Sequence, residues 1–272
     1  MNQPTSKYQR PPLRWAGGKF TLLPEITKLL PEGKRLVEPF VGSGVVFLNT
    51  NYKKYFLCDS NTDLINLFKT IQYHGKQFAA DLSELFIPEN NNKTIYYQLR
   101  DTFNSSKDNY QRALLFLYLN RHCFNGLCRY NSKGIYNVPF GLLEKPYFPA
   151  TELAIFYEKS QFAEFRCQDY QTTLKSLRQT DVVYCDPPYV PLNQTANFTA
   201  YQSQKFTMDD QQQLATLAKD LQKKQIPVLL SNHDLPFTRS AYHGAKIKAV
   251  HVQRNISCKK QRSRANELLA LF

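Results

Sequence analysis

An apolar, β-branched run cut off by two consecutive prolines constrains this chain more than any other feature. Residues 181–189 read Asp181-Val182-Val183-Tyr184-Cys185-Asp186-Pro187-Pro188-Tyr189. Val182, Val183 and Tyr184 suit a short parallel strand that is buried on both faces. Proline has no N–H to give a sheet ladder, so the strand must stop before Pro187. In an open α/β sheet that point is the carboxyl edge, where ligands bind. A rigid exit from a strand would account for Asp186-Pro187 alone. The four residues Asp186 to Tyr189 together should arise by chance only about once per thousand chains of this size.

The first sixty residues alternate in the same idiom. A strand around Arg35 to Phe40 runs into Val41-Gly42-Ser43-Gly44, and a helix starts at Val45. Tyr55 to Cys58 is a second strand that ends at Asp59. Leu64, Ile65, Leu67, Phe68 and Ile71 then recur at helical spacing behind a cap at Ser60 or Asn61. From residue 62 to 149 the alternation lapses into an Asn-rich turn (Asn90 to Asn92), an apolar helical stretch (Ala113 to Leu119) and a segment dense in Asn, Arg, Gly and aromatics. Alternation resumes with strands near Phe165–Cys167, Val182–Cys185 and Val228–Leu230. A helix between the last two opens on a capping box at Thr207 and Asp210. Two final strands, Lys248–Ile256 and Glu267–Phe272, flank a basic loop at Lys259 to Arg264. The expected fold is α/β: a doubly wound, mostly parallel sheet from residues 1–61 and 150–272, with a mainly helical insert at 62–149.

Composition narrows the partners. Thirty-five basic against 22 acidic residues give a net charge of +13, which favours a polyanion such as nucleic acid. Charge alone leaves open a merely basic soluble protein. The six cysteines contain no Cys-x-x-Cys pair, and the five histidines form no ligand-spaced cluster with them, so no metal site is expected. No apolar run reaches spanning length and no signal-peptide pattern opens the chain, so the cytoplasm is the expected compartment.

Glu38-Pro39-Phe40-Val41-Gly42-Ser43-Gly44 joins a strand to a helix, where small residues let a ligand approach the backbone. A tight strand–helix turn needs glycine in any case. Asp59, at the end of the next strand, adds a carboxylate that can accept both ribose hydroxyls of a nucleoside. The third glycine of the dinucleotide fingerprint is missing, so a nucleoside without a pyrophosphate fits better than NAD. Arg14-Trp15-Ala16-Gly17-Gly18-Lys19 has Leu13 where a phosphate loop needs glycine and Phe20 where it needs Ser or Thr, which argues against NTP hydrolysis. Trp15 is either core or a stacking surface.

With Trp15 to Lys19, Glu38 to Gly44 and Asp186 to Tyr189 in this order, the chain resembles the Dam-type DNA adenine-N6 methyltransferases. Asn120 to Asn131, Asn137-Val138-Pro139-Phe140-Gly141, Ser231 to Asp234 and Glu267 to Leu271 extend the resemblance over nearly the whole chain. It implies a Rossmann-like methyltransferase core, S-adenosylmethionine as cofactor and double-stranded DNA as partner. It also implies a monomer, GATC as the site, and residues 62–149 as the target-recognition insert. Asp186, Pro187 and Tyr189 would be catalytic. Asp186 and the Pro187 carbonyl would each accept a hydrogen bond from adenine N6, and Tyr189 would stack on the flipped base. Trp15, Lys19, Asp59 and Asp186 would bind the cofactor, with Phe40, Gly42 and Asp169 in support. On DNA, Arg129 would hold a guanine, Leu127 and Pro139 would meet thymine methyls, Asn125 a base edge, and Phe124 would wedge into the stack. Arg14 stands where some relatives have Lys, and Leu142 where others have an Arg that would meet a phosphate. Cys185 has no preceding proline, unlike a cytosine-C5 nucleophile, and reads as structural. Two other functions compete: a catalytically silent DNA-binding module, and modification of RNA or of a protein amide.

Overall fold

The computed structural model describes residues 7–189, 206–253 and 264–272. Seven strands form one sheet: β1 (Arg35–Glu38), β2 (Lys54–Asp59), β3 (Ala163–Cys167), β4 (Asp181–Cys185), β5 (Val228–His233), β6 (Lys246–Gln253) and β7 (Arg264–Leu271). Their order is β3-β2-β1-β4-β5-β7-β6. The pairs from β3 to β5 are parallel, and β7 enters antiparallel between β5 and β6. This is the doubly wound, mostly parallel sheet expected from the alternation. The sheet is wound both ways from β1, so the crevice between the carboxyl ends of β1 and β4 is its natural ligand position.

The period-two alternation of the strands divides the core into two layers. Leu36, Val182, Tyr184 and Leu229 face one apolar cluster; Val37, Val183, Cys185, Val228 and Leu230 face the other. The first face is covered by α1 (Leu23–Leu29), α2 (Val45–Leu48), α3 (Thr62–His74) and α7 (Ala150–Ser160), and the second by α8 (Tyr170–Lys175), α9 (Met208–Lys223) and α10 (Pro236–Ala241). The remaining helices are α4 (Lys76–Ser83), α5 (Lys93–Ser105) and α6 (Asn109–His122).

Local chemistry sets the helix starts. Asn61 caps α3 by accepting the Leu64 N–H, and Thr207 and Asp210 complete a reciprocal capping box on α9. Helix α6 is buried continuously from Leu115 to His122 because α3, α4 and α5 all pack on it. Burial holds His122 down at about 4, so its imidazole stays neutral. Helix α3, which lies inside the 62–149 segment, packs on β2 and β3, and one apolar cluster runs without a break from Phe47 and Leu57 through Phe68 to Phe103 and Tyr136. Strand β7 begins at Arg264, earlier than the expected Glu267. Residues 254–256 of the strand expected to reach Ile256, and the loop from Lys259 to Ser263, lie outside the described residues.

A bidentate ion pair ties β1 to β4 at their amino ends. Arg35 Nε and Nη2 donate to Asp181 Oδ1 and Oδ2 at 2.9 and 2.7 Å, and the Asp181 side chain is 1% exposed. Removing one partner of such a pair leaves the other charge without compensation. Asp181→Ala is therefore expected to cost about 3 kcal/mol of stability, measured as a lower denaturant midpoint at unchanged slope.

Candidate active site

Asp186 leaves β4 at the carboxyl edge, and both of its oxygens are held. Lys19 Nζ lies 2.9 Å from Oδ2, and the Ser231 hydroxyl donates to Oδ1 at 2.8 Å. Ser231 stands on β5, the next strand, so sheet order brings it there. Lys19 is itself buried and is fixed by a 2.6 Å bond from its ammonium to the Gly17 carbonyl. That ammonium also sits 4.7 Å from the centre of the Tyr189 ring. Tyr189 donates its hydroxyl to Glu267 Oε2 on β7 at 2.9 Å and meets the His233 ring edge-on. Burial, and then the charge of Asp186, push the Tyr189 phenol well above its ordinary range, so it remains a neutral donor. Pro188 O accepts the Gln211 amide of α9 at 2.9 Å, while Pro187 O carries no hydrogen bond among the described residues. The turn after β4 is thus clamped from β5, β7 and α9, with the Pro187 carbonyl left open as an acceptor among the described residues.

The glycine loop and Asp59 form the neighbouring half. Gly42 and Gly44 have φ of +49° and +74°, conformations that side chains resist. A Cβ on Gly42 would also come within 3.0 Å of Trp15 Nε1, so the indole lies across this loop. Asp59 is buried; Oδ2 accepts the Gly42 N–H at 3.1 Å and Oδ1 the Asn61 N–H at 2.9 Å. Each oxygen retains lone-pair capacity for one more donor. Burial raises Asp59 from 3.8 to about 6, although the Asn61, Gly42 and Ser60 N–H groups all pull it down. Asp59 and Asp186 end strands on either side of β1, so roughly 10 Å of sheet separates them, two strand spacings. Between them Glu38 ends β1, buried, with Oε1 unpartnered among the described residues. Burial and the charge of Asp186 push Glu38 well above the ordinary carboxylate range.

The residues expected on DNA lie on the 124–139 stretch and at Arg14, which Asn120 joins to that stretch. Asn120 accepts the Arg14 N–H at 2.7 Å and donates to Arg14 O and Gly126 O, which fastens the Trp15 segment to the 124–127 turn. The Arg14 side chain packs across Gly126, leaving no room there for a Cβ. Phe124 is 47% exposed and bonds through its N–H to the Pro139 carbonyl, placing those two side by side. Asn125 is exposed with φ of +55°, and Leu127 is partly buried. Arg129 bonds to Asn137. Leu142 is 82% exposed.

The remaining expected residues have local partners. Asp169 is exposed and caps α8, accepting from the Thr172 N–H and hydroxyl. Phe40 stacks on Tyr170 at 5.4 Å. Cys185 is fully buried and pushed far up by burial, which suits a structural thiol. Sequence reasoning missed the roles of Ser231, Gln211, Glu267 and Glu38. Ser231, Glu38 and Glu267 lay in motifs already noticed, but only sheet order shows that they face Asp186 or Tyr189. Gln211 carried no motif at all. Among the described residues no cluster of metal-binding side chains occurs and no helix is long and apolar enough to cross a membrane.

A doubly wound sheet with a glycine loop, an acidic residue ending its second strand and a clamped Asp-Pro-Pro-Tyr turn fits the methyltransferase class that the sequence motifs resemble. The model of the D12 class N6 adenine-specific DNA methyltransferases matches residues 15–256. The chain is 50% identical over 267 residues to the DNA adenine methylase of Escherichia coli (strain K12), covering 98% of this chain and 96% of that one. It is 52% identical over 268 residues to the DNA adenine methylase of Serratia marcescens, covering 98% and 99% of the two chains. A Vibrio cholerae serotype O1 protein of the same name is 49% identical over 268 residues. The chain belongs to the D12 class of N6 adenine-specific DNA methyltransferases, and it is an enzyme acting on DNA.

Proposed function

We propose that the chain methylates N6 of the adenine in GATC within double-stranded DNA, with S-adenosylmethionine as the methyl donor. The observation that carries this reading is the clamped Asp186 beside an open Pro187 carbonyl, in a chain half identical to proteins called DNA adenine methylase. When bound, S-adenosylmethionine supplies an activated sulfonium methyl group. The donor set fits it: Asp59 keeps lone-pair capacity for two ribose hydroxyls, the Trp15 indole offers a flat apolar face over the Gly42 loop, and the orphaned Glu38 Oε1 and Asp186 carboxylate offer polar acceptors near the β1 and β4 ends. Adenine N6 is a poor nucleophile because its lone pair is delocalised into the ring. Asp186 and Pro187 O each accept one N6–H, which draws the nitrogen toward a pyramid with its lone pair facing the donor. Lys19 and Ser231 hold the carboxylate still, so little reorganisation remains for the reaction step. Tyr189, fixed by Glu267, stacks on the flipped base.

The reading surface comprises Arg14, Phe124, Asn125, Leu127, Arg129 and Pro139, with Phe124 exposed to act as a wedge. Arg129 takes a guanine edge, and the 62–149 segment supplies most of this surface. The enzyme works as a monomer in the cytoplasm. Transfer of labelled methyl to a GATC duplex, to duplexes with each single-base change, to single-stranded RNA and to protein tests the proposal. Methylation of the GATC duplex alone is expected; equal labelling of RNA or protein would overturn it. With +13 net charge, DNA affinity is also expected to fall log-linearly with salt, by roughly a thousandfold between 50 and 200 mM if six phosphates are neutralised. Equilibrium binding across that range measures the slope.

A further inference from the structure

Residues 129–137 form a small hairpin on the reading side. The Asn137 N–H donates to Arg129 O at 3.1 Å, Tyr130 bridges Tyr136, and Asn131 closes the turn by accepting the Lys133 and Ile135 N–H groups. Asn104 of α5 pairs with the outer edge as a strand would, bonding to both N and O of Tyr136. The Tyr130 hydroxyl donates at 2.6 Å to Asp63, which is also gripped by Arg112. The hairpin is therefore anchored from α3, α5 and α6 before any DNA arrives.

Within it, Arg129 makes two bonds to a single residue. Its Nε donates to Asn137 Oδ1 at 2.8 Å and its Nη2 to Asn137 O at 3.0 Å. Nη1 carries no bond among the described residues. A guanidinium has five coplanar N–H groups; with one on Nε and one on Nη2 engaged, the parallel pair on Nη1 and Nη2 remains. That fork is the geometry that matches O6 and N7 of guanine.

We propose that Asn137 is the positioning residue for base discrimination: by holding the inner edge of Arg129 it presents a preformed fork to one guanine. The inference rests on the reading of Arg129 as the guanine contact. A guanidinium already ordered loses little freedom on binding, so the correct base gains the full bidentate interaction. A loose one would settle on phosphates or other acceptors and discriminate less.

The test uses the ratio of kcat/KM on GATC to that on duplexes changed at each base pair, for Asn137→Leu, Asn137→Asp, Arg129→Ala and the double variant. Leucine removes the Oδ1 acceptor at similar volume, and the ratio at the guanine read by Arg129 is expected to fall roughly tenfold, the lower end of what a bidentate base contact contributes. Asn137→Asp keeps an acceptor and should keep the ratio, even if overall affinity for DNA drops. In the Arg129→Ala background, Asn137→Leu should change the ratio no further. A common drop at all positions, or an equal further drop in the Arg129→Ala background, would show a merely structural asparagine and overturn the proposal. If Arg129→Ala itself left the ratio intact, the reading of Arg129 would fall, and this proposal with it.

Discussion

Asp186→Ala is expected to lower the rate of methyl transfer by at least about a thousandfold, the upper range for deleting one preorganised polar group, while affinity for duplex DNA is retained. The carboxylate is fixed from two sides, by Lys19 and by Ser231. On the proposed mechanism alanine removes the acceptor for adenine N6, and it leaves the buried Lys19 without its counter-ion. The residues proposed to read DNA are Arg14 and positions on the 124–139 segment, none of which bonds to Asp186 among the described residues. Single-turnover kinetics and a separate binding titration measure the two quantities. A variant within tenfold of wild type in transfer would remove Asp186 from the chemistry. Ser231→Ala makes the graded companion: it removes one of the two clamps, keeps the carboxylate, and should lower the rate far less.

The second large effect concerns Asp59. Asp59→Ala is expected to raise the KM for S-adenosylmethionine by at least about a hundredfold, because two hydrogen bonds to a charged acceptor contribute roughly 1.5–3 kcal/mol each. Site preference on DNA should not change, since Asp59 sits behind the glycine loop. The wild-type enzyme is expected to carry a pH signature of the same interaction. Only the ionised carboxylate accepts from two ribose hydroxyls, and burial has raised Asp59 to about 6. Cofactor affinity is therefore expected to be full above pH 7 and to fall as pH drops through 6, approaching a tenfold loss per unit below it. The stability of the cofactor-free protein runs the other way. A carboxyl with a raised folded value favours the fold when protonated, so this contribution is present below pH 4 and lost as pH rises through 6. Cofactor binding isotherms between pH 5 and 8, for wild type and Asp59→Asn, measure it; a flat profile for the asparagine variant is expected.

The centre of the sheet was legible because β1, β2 and β4 each carry a boundary in their own sequence. Pro39 follows β1, Asp59 ends β2, and Pro187 stops the ladder after β4. The α9 capping box was likewise local and formed as the sequence implied, and of the two caps open to α3, Ser60 and Asn61, the structure uses Asn61. What sequence spacing could not show was adjacency across the sheet. Ser231 meets Asp186 because β5 pairs with β4, and Glu267 reaches Tyr189 because β7 folds back antiparallel beside β5. The 62–149 segment was legible as helical. Its continuity with the core was not, because the aromatic packing of Phe68, Phe103 and Tyr136 joins residues far apart in sequence.

The most direct test of the central claim uses DNA from cells that lack adenine methylation of their own. After expression of this chain, that DNA should resist an enzyme that cuts only unmethylated GATC, and DNA from cells expressing Asp186→Ala should be cut to completion. Complete cutting in the presence of abundant, folded wild-type protein would contradict the account.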